Sequence, residues 1–61
     1  MDVTMEDVKR AEALAEELHS VMGSLVEKSK DYDIARILKR SEAELMDLRH
    51  NLSMVRRLLG G

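Results

Sequence analysis

An apolar stripe in the second half of the chain limits what this sequence can fold into more than any other feature. It runs Ile34, Leu38, Ser41, Leu45, Leu48, Leu52, Val55 and Leu59. The steps alternate between four and three residues, the 3.5-residue repeat of a helix-packing seam, with one polar interruption at Ser41. A helix with such a stripe must cover it with other helices. In a chain of 61 residues there is little material to do so.

The first half carries a stripe of its own: Val8, Ala11, Ala15, Leu18, Met22 and Leu25. Leu14 and Val21 widen it on one side and Val26 on the other. Thr4 followed by Asp7 has the form of a capping box, with Asp in place of the usual Glu or Gln. Val3 and Val8 stand where a hydrophobic staple would lie. Asp2, Glu6 and Asp7 put negative charge at a helix start, where the dipole favours it. These signals predict a helix over about residues 5–28.

The two stripes are out of phase by two residues. Coiled coils absorb inserts of three or four residues more readily than two, so one straight helix is disfavoured. Ser29-Lys30-Asp31-Tyr32-Asp33 lies between the stripes, and either aspartate can cap a second helix. That helix is expected over about 33–59, with Arg56 and Arg57 in its last turn and Gly60-Gly61 as the stop. Two helices of similar length with a short connection, about 29–33, form an antiparallel helical hairpin. Charge agrees with this, because the acidic start then lies beside Arg49, Arg56 and Arg57. The alternative is a three-helix bundle, broken at Gly23-Ser24-Leu25-Val26-Glu27 and at Ser41-Glu42-Ala43-Glu44, each of which contains S-x-x-E.

Composition narrows the function classes. There is no Cys and no Pro, and Tyr32 is the one aromatic residue. A disulfide staple is therefore impossible, and a chain this small needs oligomerisation, a partner or a metal for stability. Twelve acidic residues stand against ten basic ones, without the basic surplus of a nucleic-acid binder. No apolar run approaches a membrane span, and Met1 to Arg10 lacks the apolar region of a signal peptide. A cytoplasmic protein is the expectation.

Two carboxylate-x-x-His pairs, Glu16/His19 and Asp47/His50, have the spacing used in carboxylate-bridged metal bundles. The stripes turn Asp47 and His50 to solvent and leave His19 flanking the seam. Glu44 is the only acid near the core face, so no metal site is expected. Ser20, Ser24, Ser29, Ser41 and Ser53 are scattered with no base beside them, and no glycine-rich phosphate loop exists. Enzymatic activity, a cofactor and a small-molecule substrate are not expected. Lys39, Arg40, Arg49, Arg56 and Arg57 are interleaved with Glu42, Glu44 and Asp47, as on a solvated ion-paired face. Met22 reads as core filler, while Met46 and Met54 flank the second stripe, as methionines do on adaptable binding surfaces.

The ending Arg56-Arg57-Leu58-Leu59-Gly60-Gly61 resembles the Gly-Gly end of leader peptides of ribosomally made peptides over about ten residues, with Leu58 and Val55 at the apolar places. That resemblance implies a carrier segment disordered on its own, and the regular stripes argue against it. Ubiquitin-like proteins share the Gly-Gly end, but nothing here reads as their β-rich fold.

The sequence thus leads to an all-α expectation: one domain over 1–61, a helical hairpin packing as a homodimeric four-helix bundle. Its function is protein–protein interaction or oligomerisation. The expected interface is Val8, Ala11, Ala15, Leu18, Met22, Leu25, Ile34, Leu38, Ser41, Leu45, Leu48, Leu52, Val55 and Leu59. The alternative is a small regulator whose same stripe docks a different protein.

Overall fold

The computed structural model describes residues 2–60; Met1 and Gly61, the second half of the expected Gly-Gly stop, lie outside them. Two helices follow one another, α1 over Met5–Lys28 and α2 over Tyr32–Gly60. They pack side by side as a hairpin. At 1.5 Å per residue, 24 and 29 residues give rods of roughly 36 and 44 Å. The longer rod accounts for the 45 Å long dimension of the molecule, against 18 and 15 Å across.

The start of α1 is held as its sequence implies. Asp7 N–H donates to Thr4 Oγ1 at 3.2 Å, and Thr4 N–H donates back to Asp7 Oδ2 at 3.1 Å. Two backbone donors that the first helical turn would leave orphaned are thereby satisfied. Val8, one turn in, is buried, while Val3 remains exposed.

The reversal takes three residues, 29–31, and is shorter than the expected 29–33. Ser29 leaves α1 in an extended conformation, and its N–H still donates to the carbonyls of Leu25 and Val26. Its hydroxyl donates to the carbonyl of Asp31 at 3.1 Å. Asp31 then caps α2: its Oδ1 accepts from Asp33 N–H at 2.9 Å and Ile34 N–H at 3.1 Å. Of the two candidate aspartates, Asp31 is the cap, so α2 begins at Tyr32 and Asp33 sits in its acidic first turn.

Neither Gly23 nor Ser41 breaks a helix, so the three-helix arrangement is not the one formed. Both S-x-x-E segments lie inside continuous helices. A glycine in mid-helix costs about 1 kcal/mol relative to alanine, too little to stop a helix whose neighbouring turns pack on α2.

Only Val8, Ala15 and Leu45 among the described residues are buried, at 3%, 5% and 7% exposure. Around them the main line of partial shielding follows a three-four rhythm, with Ala11, Gly23, Ser41 and Ser53 half-buried beside it. In α1 it passes through Met5, Val8, Glu12, Ala15, His19, Met22 and Val26, and in α2 through Ala35, Leu38, Glu42, Leu45, Arg49 and Leu52. This line is the true seam of the hairpin. It differs from the apolar stripes by taking only every second stripe residue, Val8, Ala15 and Met22 on α1 and Leu38, Leu45 and Leu52 on α2. The remaining stripe residues lie to one side of it.

Two substitutions test this local account. Asp31→Ala should destabilise the hairpin by about 1 kcal/mol through loss of the cap, read as a lowered thermal midpoint. Gly23→Ala should stabilise it by up to about 1 kcal/mol. An added Cβ there would meet only the mobile end of Glu42, whose Oε2 lies 3.4 Å away.

Candidate functional site

Each helix presents two rows of side chains seven residues apart on either side of the buried line, and the two sides differ in chemistry. On one side lie Ala11, Leu18 and Leu25 of α1 and Ile34, Ser41, Leu48 and Val55 of α2. Their large members stay in solvent: Leu18 is 50% exposed, Leu48 46% and Ile34 53%. Together with Leu14, Ala15, Leu45 and Leu52 they line a shallow apolar groove along the middle of the hairpin. The groove continues past Met22, Ser41 and Glu44 and reaches Leu25, Ile34 and Leu38 near the reversal. Leu14 and Val21 extend the apolar face at its outer edge on α1, as Ile37 and Leu58 do on α2, and all four are exposed.

The opposite side is polar. Arg56 Nε lies 3.3 Å from Glu12 Oε1, and Arg49 Nη1 lies 3.3 Å from His19 Nδ1. A guanidinium only donates, so Nδ1 is the acceptor in this contact. The Glu12–Arg56 pair is partly exposed, and pairs of that kind contribute roughly 0–1 kcal/mol. Their value is positional, because they tie α1 to α2 in one register.

The fourteen residues expected at an interface therefore divide. Val8, Ala15 and Leu45 are consumed inside the hairpin. Ala11, Met22, Leu38, Ser41 and Leu52 are shared between the seam and the groove, each half-buried. Leu18, Leu25, Ile34, Leu48, Val55 and Leu59 stand exposed. Glu12, His19, Glu42 and Arg49 were not part of that set, yet they occupy one edge of the seam. Their signal was present in the sequence as a seven-residue spacing, 12 to 19 in α1 and 42, 49 and 56 in α2. An apolar-only search passes over it.

Neither carboxylate-x-x-His pair assembles with further ligands. Glu16, Asp47 and His50 are exposed, while His19 is half-buried against Arg49. Glu12, Glu16, Met46, Arg49, His50 and Ser53 line a depression on the polar side. Among the described residues no three His, Asp or Glu side chains are grouped to hold a metal ion. A zinc ion needs about four ligands near 2 Å, and one at His19 Nδ1 would have to displace the Arg49 cation. Zinc titration should accordingly leave the thermal midpoint unchanged; a stoichiometric complex with a raised midpoint would overturn this. Among the described residues, no helix is long and apolar enough to cross a membrane.

The chain matches no protein-family model, and no curated protein and no solved structure is similar to it at a significant level.

Proposed function

We propose that this protein is a non-enzymatic interaction module. Its apolar face packs on the same face of a second copy, giving a homodimeric four-helix bundle in a cytoplasmic setting. The observation that carries the reading is the open face itself. Leu18 and Leu48 stand half in water at the centre of a groove that runs most of the length of the molecule. Contiguous exposed apolar surface of this kind marks an interaction site.

Size favours a second copy as the cover. A folded monomer of 7.0 kDa exposes about 4,000 Å², whereas this hairpin exposes 5249 Å². The excess is about 1,200 Å² per chain, and a standard stable interface removes about 800 Å² from each partner. Shape agrees: the radius of gyration is 14.2 Å, against about 10.5 Å for a compact chain of this length. Stacking a second hairpin on the open face doubles the mass while leaving the long dimension unchanged. The relation is self-complementary, as a two-fold interface requires.

Sedimentation equilibrium tests the proposal. It should give about twice the 7.0 kDa chain mass, unchanged in molar salt because the face is apolar and salt screens only charge. Dilution should lower the thermal midpoint by mass action. Leu45→Ala and Leu48→Ala then separate the hairpin from the dimer. Leu45 is buried within one chain, so its truncation costs about 2–5 kcal/mol whatever the concentration. Leu48→Ala should act mainly by weakening association. A monomer at high concentration, with Leu48→Ala melting like the parent, would overturn self-association and point to a foreign helical partner.

A further inference from the structure

Resting on the dimer reading, we infer that the two copies dock with their reversals at opposite ends. In this arrangement α1 lies antiparallel on α1 of the second copy, and Asp7 meets Lys28 across the edge. Two two-fold arrangements bring the open faces together. In one, the axis runs along the helices, the reversals share an end, and α1 covers α2 of the second copy. In the other, the axis crosses the helices, the reversals are opposed, and each helix covers its own counterpart. The outer edges of the face discriminate between them.

On α1 the outer edge reads Asp7, Leu14, Val21 and Lys28, each seven residues from the next and each exposed. On α2 it reads Ile37, Glu44, Asn51 and Leu58, also exposed and also at sevens. Both rows lie one helical step outside the Leu18 and Leu48 rows, on the same side of the seam. They flank the inter-copy contact whichever way the copies stack.

With the reversals opposed, the α1 edge meets itself in reverse. Asp7 faces Lys28, an acid against a base, and Leu14 faces Val21. The α2 edge does likewise, placing Ile37 against Leu58 and Glu44 against Asn51, a carboxylate against an amide that donates to it. Every edge partner is then chemically matched. With the reversals together, the α1 edge meets the α2 edge. Asp7 faces Leu58, Leu14 faces Asn51, Val21 faces Glu44 and Lys28 faces Ile37. Every edge pair then sets a polar or charged group against an apolar one. The capping contact of Asp7 uses Oδ2, which leaves Oδ1 for the Lys28 ammonium.

The interior fits the same axis. Passed between Leu18 and Leu48, it stacks each of these on its own copy. About two turns away, Ala11 lies over Leu25 and Ser41 over Val55, small against large in both cases, which is how facing helices interdigitate.

The test is a distance between reversals. Lys30 is exposed in the connection, and the chain has no native cysteine, so a spin label on Lys30→Cys is unique. Pulsed dipolar spectroscopy should read a separation of roughly 36 Å or more, twice the helical rise from Leu18 to Lys30 at about 1.5 Å per residue. A separation at or below the molecule's 18 Å width would overturn the opposed docking while leaving self-association intact. A monomer mass by sedimentation, with no dipolar signal, would overturn both. The edge pairing has its own readout. Lys28→Glu sets two acids against each other and should raise the dimer Kd several-fold at low salt, with Lys30→Glu as the control. Equal Kd values for the two variants would overturn the Asp7–Lys28 contact.

Discussion

Everything in this fold follows from a geometric limit: a helix paired with one other helix can bury only one edge of itself. An apolar stripe two rows wide needs neighbours on two sides. In the hairpin the row containing Val8, Ala15, Met22, Leu38, Leu45 and Leu52 finds its neighbour within the chain. The row containing Leu18, Leu25, Ile34, Leu48 and Val55 does not. The second row has the same residue types and the same repeat as the first. Only its direction separates a shielded side chain from an exposed one. The open face is thus a consequence of pairing two helices, since neither α1 nor α2 covers it.

Much of this was legible beforehand, for identifiable reasons. Helix α1 was readable to its ends because Thr4 and Asp7 form a reciprocal cap and Lys28 precedes a polar stretch. The break near residue 30 was readable because a two-residue phase slip is harder to wind into one seam than an insert of three or four. The exact entry to α2 was not, since Asp31 and Asp33 are equally able to cap. In the structure Asp31 takes the cap, with the Ser29 hydroxyl bonded to its carbonyl and its own carboxylate accepting from Asp33 and Ile34 N–H. The seam itself was half legible. Periodicity found the row that faces α1 and the row that faces water, but assigned both to one seam. It could not reveal that the other edge of the true seam is polar.

That polar edge explains how a weakly buried hairpin keeps one register. Moving from Glu12 to His19 climbs seven residues in α1, and moving from Arg56 to Arg49 descends seven in α2. Both partnerships therefore belong to a single antiparallel alignment. Sliding one helix by a turn would place Glu12 and His19 away from both arginines. The apolar rows are less discriminating, since Leu and Val at seven-residue spacing repack after a one-heptad slip with modest loss. One modest ion pair and one hydrogen bond thus contribute specificity that the apolar rows lack, while adding little to stability.

The two faces consequently contribute differently to the hairpin. The polar side fixes how α1 meets α2 and, once solvated, offers nothing sticky to a third helix. The apolar side contributes few fixed contacts within one chain and so remains available. A hairpin of this kind is stabilised by whatever covers that face, because binding to the folded form alone shifts the folding equilibrium toward it. In the proposed dimer this links folding to association, so that dilution would both separate the copies and weaken each hairpin. A larger residue at Ala15 would overpack the seam, prise the helices apart and destabilise the hairpin. Ala15 is 5% exposed and lines the same groove as Leu18 and Leu48. Its small side chain lets the helices close on each other and leaves the larger leucines beside it standing clear.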